Sequence, residues 1–225
     1  MIAYPLKYYR HLFEALIGHM ELLFLTLFLG SIASVALAFL IYRYRFMRAP
    51  VLVVMQMLYT VPSLAAFAVL IPFSGLGVKT AVIALVCYSL FFIVRHFLEG
   101  MDGIDPQIRE AGRAMGYSPF RLFLHVELPL AAPAILAGIR TASVSTIGIA
   151  CIAYAVGAGG IGAILFEGMM QLSYVKIAWG SILAVLLSVV TNSVLLAVER
   201  KLTEMANPGR IAGQTDSNHE RKRSP

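Results

Sequence analysis

Long apolar runs alternate with short polar connections along most of the chain. Residues 22–42 form the first run; it carries no charge and, as a helix rising ~1.5 Å per residue, is long enough to cross ~30 Å of hydrocarbon. Residues 51–72, 80–97, 131–156 and 177–198 repeat the pattern, with Arg95 near the exit of the third run. The pattern predicts an all-α polytopic membrane bundle of about five transmembrane helices. Between the fourth and fifth runs, residues 157–176 hold a glycine-rich turn and a semi-polar piece containing Glu167 and Gln171. That piece is expected as a re-entrant or interfacial helix, since Glu167 and the glycines argue against a sixth crossing.

The two ends differ from the middle. Residues 1–21 carry Lys7, Arg10, His11, Glu14 and Glu21 and are too polar for a span. They are expected as an interfacial segment with Tyr4, Tyr8, Tyr9 and Phe13 at headgroup level, not as a cleaved signal peptide. Residues 22–202 make the transmembrane domain. In residues 203–225 the composition turns polar, which predicts a disordered cytoplasmic tail whose Arg221-Lys222-Arg223 end touches anionic lipid.

Composition agrees with a membrane class. Of 225 residues, 59% are apolar and 13% charged, about half the charge of a soluble domain; the mean hydropathy is +0.80. The net charge of +6 does not point to nucleic acid, because the cations sit between apolar runs. Arg43, Arg45, Arg48, Arg95, Arg109, Arg113, Arg121, Arg200 and Lys201 fall on one side; Lys7, Arg10, Lys79 and Lys176 fall on the other. The richer side is expected to be cytoplasmic, with the N-terminus outside and the C-terminus inside. Cys87 and Cys151 lie in apolar runs without ligand spacing and read as small buried hydrophobes.

One polar island interrupts the apolar plan. Residues 110–129 read EAGRAMGYSPFRLFLHVELP. The spacing predicts a short helix, a turn at Gly116, a second short helix capped by Ser118 with Pro119 at its first position, and a stop at Pro129. His125 beside Glu127 is expected as a solvated pair. In the second run, Pro62 breaks the helical ladder next to Tyr59 and Ser63, as either an ordinary kink or a pathway hinge. Arg140 in the fourth run is expected to snorkel or to pair within the bundle, a gate or solute contact being the alternative. Gly157, Gly159 and Gly162 have dinucleotide-loop spacing but no preceding strand, so that reading fails; a flexible turn or close helix packing remains. The histidines are scattered and Ser143 and Ser145 lack a base. No residue is a catalytic, metal-ligating or cofactor-binding candidate.

The island resembles the EAA signature of ABC importer permeases. Glu110, Ala111, Gly116, Val126, Leu128 and Pro129 stand at the family spacings, with Gly112 for the second alanine and Val126 for isoleucine. The resemblance implies a MetI-like permease fold whose loop, about residues 100–130, couples to a cytoplasmic ABC ATPase that binds the ATP. It also implies a second permease copy or a paralogue, an extracytoplasmic substrate-binding protein, and a bacterial inner-membrane location. Pro62-Ser63-Leu64-Ala65, Ile71-Pro72, Gly75-Leu76-Gly77, residues 136–142 and residues 157–162 are similar to permeases for glycine betaine, carnitine and choline. Phe91-Phe92 stands where that subfamily has a proline before the arginine. A methionine or other amino-acid importer is the alternative solute reading. A non-transporting scaffold and a membrane enzyme are the readings from other classes.

Overall fold

Helix α1 (Ala3–Arg43), kinked at Tyr8, opens the described chain and continues through the boundary expected after residue 21. The computed structural model describes residues 3–206, and among these there is no strand. Helix α1 has 41 residues, about 60 Å and twice the hydrocarbon thickness, with one non-helical residue at Tyr8. Its polar first half stays helical because it is amphipathic. Leu12, Ala15, His19, Leu22, Leu23 and Thr26 follow one another on a buried stripe, while Lys7, Arg10, Glu14 and Glu21 are exposed.

The second apolar run is not one straight helix. A 3₁₀ turn (Arg45–Met47) leads into α2 (Arg48–Thr60), and α3 (Ser63–Ser74) leaves it at a bend of 99°. The cause is local: Pro62 has no N–H to donate and forces its predecessor out of the helical region, so Val61 sits at φ −64, ψ 128. Counted with this bent pair as one span, the described residues hold five candidate crossings.

Helix α4 (Val78–Asp102) is the centre of the bundle. Inside the chain 56% of its most apolar stretch is buried, against 6% for the last helix. It packs chiefly on α7 (Leu128–Ile152) and α1. Small residues let these backbones approach: a side chain at Gly30 would strike Ser89 Oγ, and one at Gly138 would strike His96 Cβ. One core group gathers Phe67, Leu85, Tyr88 and Val156; another, at the opposite end, gathers Ile41, Phe97, Met101, Phe123 and Ala131.

Between α4 and α7 lie α5 (Pro106–Ala114), α6 (Pro119–Leu122) and a π-helical turn (Phe123–Glu127). The stop expected at Pro129 is absent. Helix α6 passes through the π turn directly into α7, with Pro129 in the first turn of α7. Leu128 N–H bonds back five residues to Phe123, and the widened turn absorbs the donor the proline lacks.

After a 3₁₀ turn (Ala153–Val156) comes α8 (Ile161–Met170), ten residues and too short to cross. Helix α9 (Tyr174–Ala206) closes the described chain and includes residues 203–206, the first of the expected tail. The rest of that tail lies outside the described residues. Gly77 N–H donates to Val156 C=O at 2.6 Å, so the α3–α4 turn and the glycine run meet at one end of the bundle. The α1–α2 turn and the α5–α6 loop occupy the other.

Candidate functional site

The 110–129 loop is held by backbone chemistry at its turns. Asp105 Oδ1 accepts the Gln107 N–H at 2.8 Å and caps α5, with Pro106 at the first position. Helix α5 ends in a Schellman arrangement: Gly116 N–H donates to Arg113 C=O and Tyr117 N–H to Gly112 C=O, with Gly116 at φ +81. Ser118 Oγ accepts the Arg121 N–H at 3.4 Å and starts α6 behind Pro119. Gly112 is buried in α5 because Leu122 of α6 sits where its Cβ would be.

The structure distributes the signature residues over two faces. Glu110 and Ala111 are exposed on α5, Gly116 makes the turn, and Val126, Leu128 and Pro129 lie on the π turn and the start of α7. The groups that join these parts are Arg109 and Glu127. Arg109 Nε donates to Glu127 Oε1 at 2.8 Å, and its terminal nitrogens donate to the carbonyls of Met101 and Ile104. Tyr42 O–H donates to the same Glu127 oxygen at 2.9 Å. One buried carboxylate therefore ties α5 and the π turn to the ends of α1 and α4.

This corrects the expectation of a solvated His125–Glu127 pair. Glu127 is 4% exposed and faces the bundle, while His125 is exposed, with its Nδ1 at 3.1 Å from Arg121 C=O. Residues two apart on a helix point to opposite sides. The sequence signal for the hub was the inward stripe Phe123, Glu127, Ala131. A second tie joins the start of α2 to the end of α4, Arg48 to Asp102.

The pathway or hinge candidates lie at the 99° bend. Tyr59 stacks on Phe91 at 5.0 Å between centroids and meets Phe92 and Tyr88 edge-on at 5.0 and 5.9 Å. Phe91 and Phe92 thus supply the surface on which Tyr59 rests. The carbonyl freed at Val61 accepts the Tyr88 O–H at 2.7 Å. Pro62 precedes α3 in an extended conformation and Ser63 is its first residue.

Arg140 pairs within the bundle: its Nε donates to Glu199 Oε2 at 2.8 Å and a terminal nitrogen to Asn192 Oδ1 at 3.1 Å, linking α7 to α9. The glycine run serves both turn and packing. Gly157, Gly159 and Gly160 have positive φ, and a Cβ on Gly162 would lie 2.1 Å from Cys151 C=O. His19, fully buried on α1, accepts the Ile161 N–H through Nδ1 at 3.3 Å and pins the start of α8.

Comparison with known proteins places this architecture. The family model described as binding-protein-dependent transport system inner membrane component matches residues 26–204. The osmoprotectant import permease protein OsmW of Salmonella typhimurium is 37% identical over 90% of this chain and 96% of its own length. The Bacillus subtilis choline transport permease OpuBB is 35% identical over 82% of this chain and 85% of its own. The glycine betaine/carnitine/choline permease OpuCD of the same species is 37% identical over 88% and 83%. Among solved structures, the inward-facing MetNI methionine ABC transporter superposes with a TM-score of 0.76 at 21% identity, over 85% of this chain and 96% of that one.

Proposed function

Because the chain belongs to the family of binding-protein-dependent transport system inner membrane components, we propose that it is the permease subunit of an ATP-driven importer for quaternary-ammonium osmoprotectants such as glycine betaine, carnitine or choline. The observation that carries the solute class is the near full-length identity to permeases named for osmoprotectants, choline and glycine betaine. The methionine-transporter likeness, at 21% identity, speaks for the fold and leaves the solute to the relatives.

As the inner-membrane component of such a system it works with an ATPase and a binding protein. In our reading the 110–129 loop is the part handed to the ATPase, with Glu110, Ala111 and Gly112 on α5 and Gly116 shaping the turn. Val126, Leu128 and Pro129 carry the movement into α7. The hub supports this: a push on α5 reaches α1, α4 and α7 through the Arg109–Glu127 and Tyr42–Glu127 contacts. The arginine excess at the loop end of the bundle supports a cytoplasmic loop. ATP is bound by the partner ATPase, two copies of this chain or one copy and a paralogue enclose the pathway, and the bend at Tyr59, Pro62 and Ser63 flexes beside it.

The test is uptake of labelled glycine betaine, choline, carnitine and methionine by cells lacking the gene and by the same cells after its return. Regained uptake of the quaternary-ammonium solutes is expected. Regained methionine uptake alone assigns an amino-acid importer. No regained uptake, with no ATPase brought down in gentle detergent, assigns a scaffold.

A further inference from the structure

We propose that the cleft between the α1–α2 turn and the α5–α6 loop holds the headgroup of an anionic phospholipid. The cleft measures about 910 Å³. Two of its arginines are neutralised in place, Arg48 by Asp102 and Arg109 by Glu127. Arg43, Arg45 and Arg113 remain, opposed by Glu110 alone. All three are exposed, and among the described residues none makes an ion pair. The concave surface therefore presents two surplus positive charges, with its free arginines drawn from the end of α1, the 3₁₀ turn that follows it, and α5.

The surroundings select a lipid over a free anion. Phe28, Ile32, Phe39 and Arg43 recur on one stripe of α1, so an exposed apolar track leads up the helix to the cation. Phe39 and Phe120 flank the cleft, and Phe120 is 65% exposed. Acyl chains against that track would set a phosphodiester among Arg43, Arg45 and Arg113, where guanidinium forks match its oxygens. A lipid there would wedge the loop against the bundle, at the joint the hub braces from inside.

The full chain purified in neutral detergent is titrated with phosphatidylglycerol and with phosphatidylcholine of the same acyl chains, and bound lipid is counted by native mass spectrometry. Two surplus cations near a headgroup predict about a thirtyfold preference for phosphatidylglycerol. Arg45→Gln with Arg113→Gln should abolish the preference, and Arg45→Lys with Arg113→Lys should keep most of it. Arg200→Gln with Lys201→Gln removes two exposed charges elsewhere and should leave it unchanged. A preference that survives the first pair overturns the proposal, as does equal loss in the Arg200/Lys201 pair. Displacement of the lipid by excess inorganic phosphate overturns it in favour of a free-anion site. The readout needs neither ATPase nor solute, so failure of the uptake test leaves it standing.

Discussion

The guanidinium of Arg109 and the carboxylate of Glu127 meet at 2.8 Å across 18 residues of chain, with side chains only 19% and 6% exposed. Removing one partner of such a pair strands the other charge in a dry site, at a cost of about 3 kcal/mol. Arg109→Met and Glu127→Leu alone should each lower the thermal midpoint in detergent. The double variant should recover part of it: no charge is left behind, although the Tyr42 O–H and the Met101 and Ile104 carbonyls lose a partner. Coupling should separate from stability: ATPase stimulation by solute should remain impaired in the double variant. Full coupling there would show that the hub holds the fold but transmits nothing.

Gly116 is constrained by its backbone and not by its neighbours. Its φ is +81, and a Cβ built there meets nothing within 4 Å. A β-branched residue in that conformation costs about 1–2 kcal/mol, whereas asparagine tolerates it. Gly116→Val should insert normally yet lose uptake and solute-stimulated ATP hydrolysis; Gly116→Asn should keep most of both. Wild-type uptake by the valine variant would remove this turn from the coupling reading.

How much of this was legible in the residues depends on range. The capped start at Ser118 and the left-handed end at Gly116 are local signals, and each names its own geometry. The Tyr42–Glu127 bond joins positions 85 apart, and no spacing along one helix announces it. The π turn hid it further, because it rotates Glu127 inward and makes Pro129 a beginning where its chemistry suggested an end. The break at Pro62 was readable; its 99° angle was not, since Tyr59 on Phe91 and Tyr88 on the Val61 carbonyl sit at the bend.

The glycine run yields a steric prediction. A Cβ at Gly162 would stand 2.1 Å from Cys151 C=O and 2.9 Å from Tyr154 Cβ, so backbone must move. Gly162→Ala should destabilise by about 3 kcal/mol, the upper end of overpacking costs. Gly148→Ala, where a Cβ meets nothing within 4 Å, should be neutral or should stabilise α7 by up to about 1 kcal/mol. Thermal midpoints in detergent compare the two directly, and equal effects would mean that α8 does not press on the end of α7.

Arg140, Asn192 and Glu199 join α7 to α9. The arginine bonds both partners across α7 and α9, and the ion pair is 27% and 20% exposed at its two side chains. A structural clasp and a solute contact differ in what rescues them. If the arginine is a clasp, Arg140→Met leaves Glu199 uncompensated and lowers the midpoint. Arg140→Met with Glu199→Met then restores both midpoint and uptake, because the two changes remove one interaction. If the guanidinium contacts solute, the double variant regains its midpoint but not its uptake. Polar contacts between membrane helices are worth about 0.6–1.7 kcal/mol, so Asn192→Ala should cost no more than that, and less than Arg140→Met. A cycle in which the Arg140 and Glu199 effects simply add would mean that the two side chains act independently, and that the clasp between α7 and α9 lies in apolar packing alone.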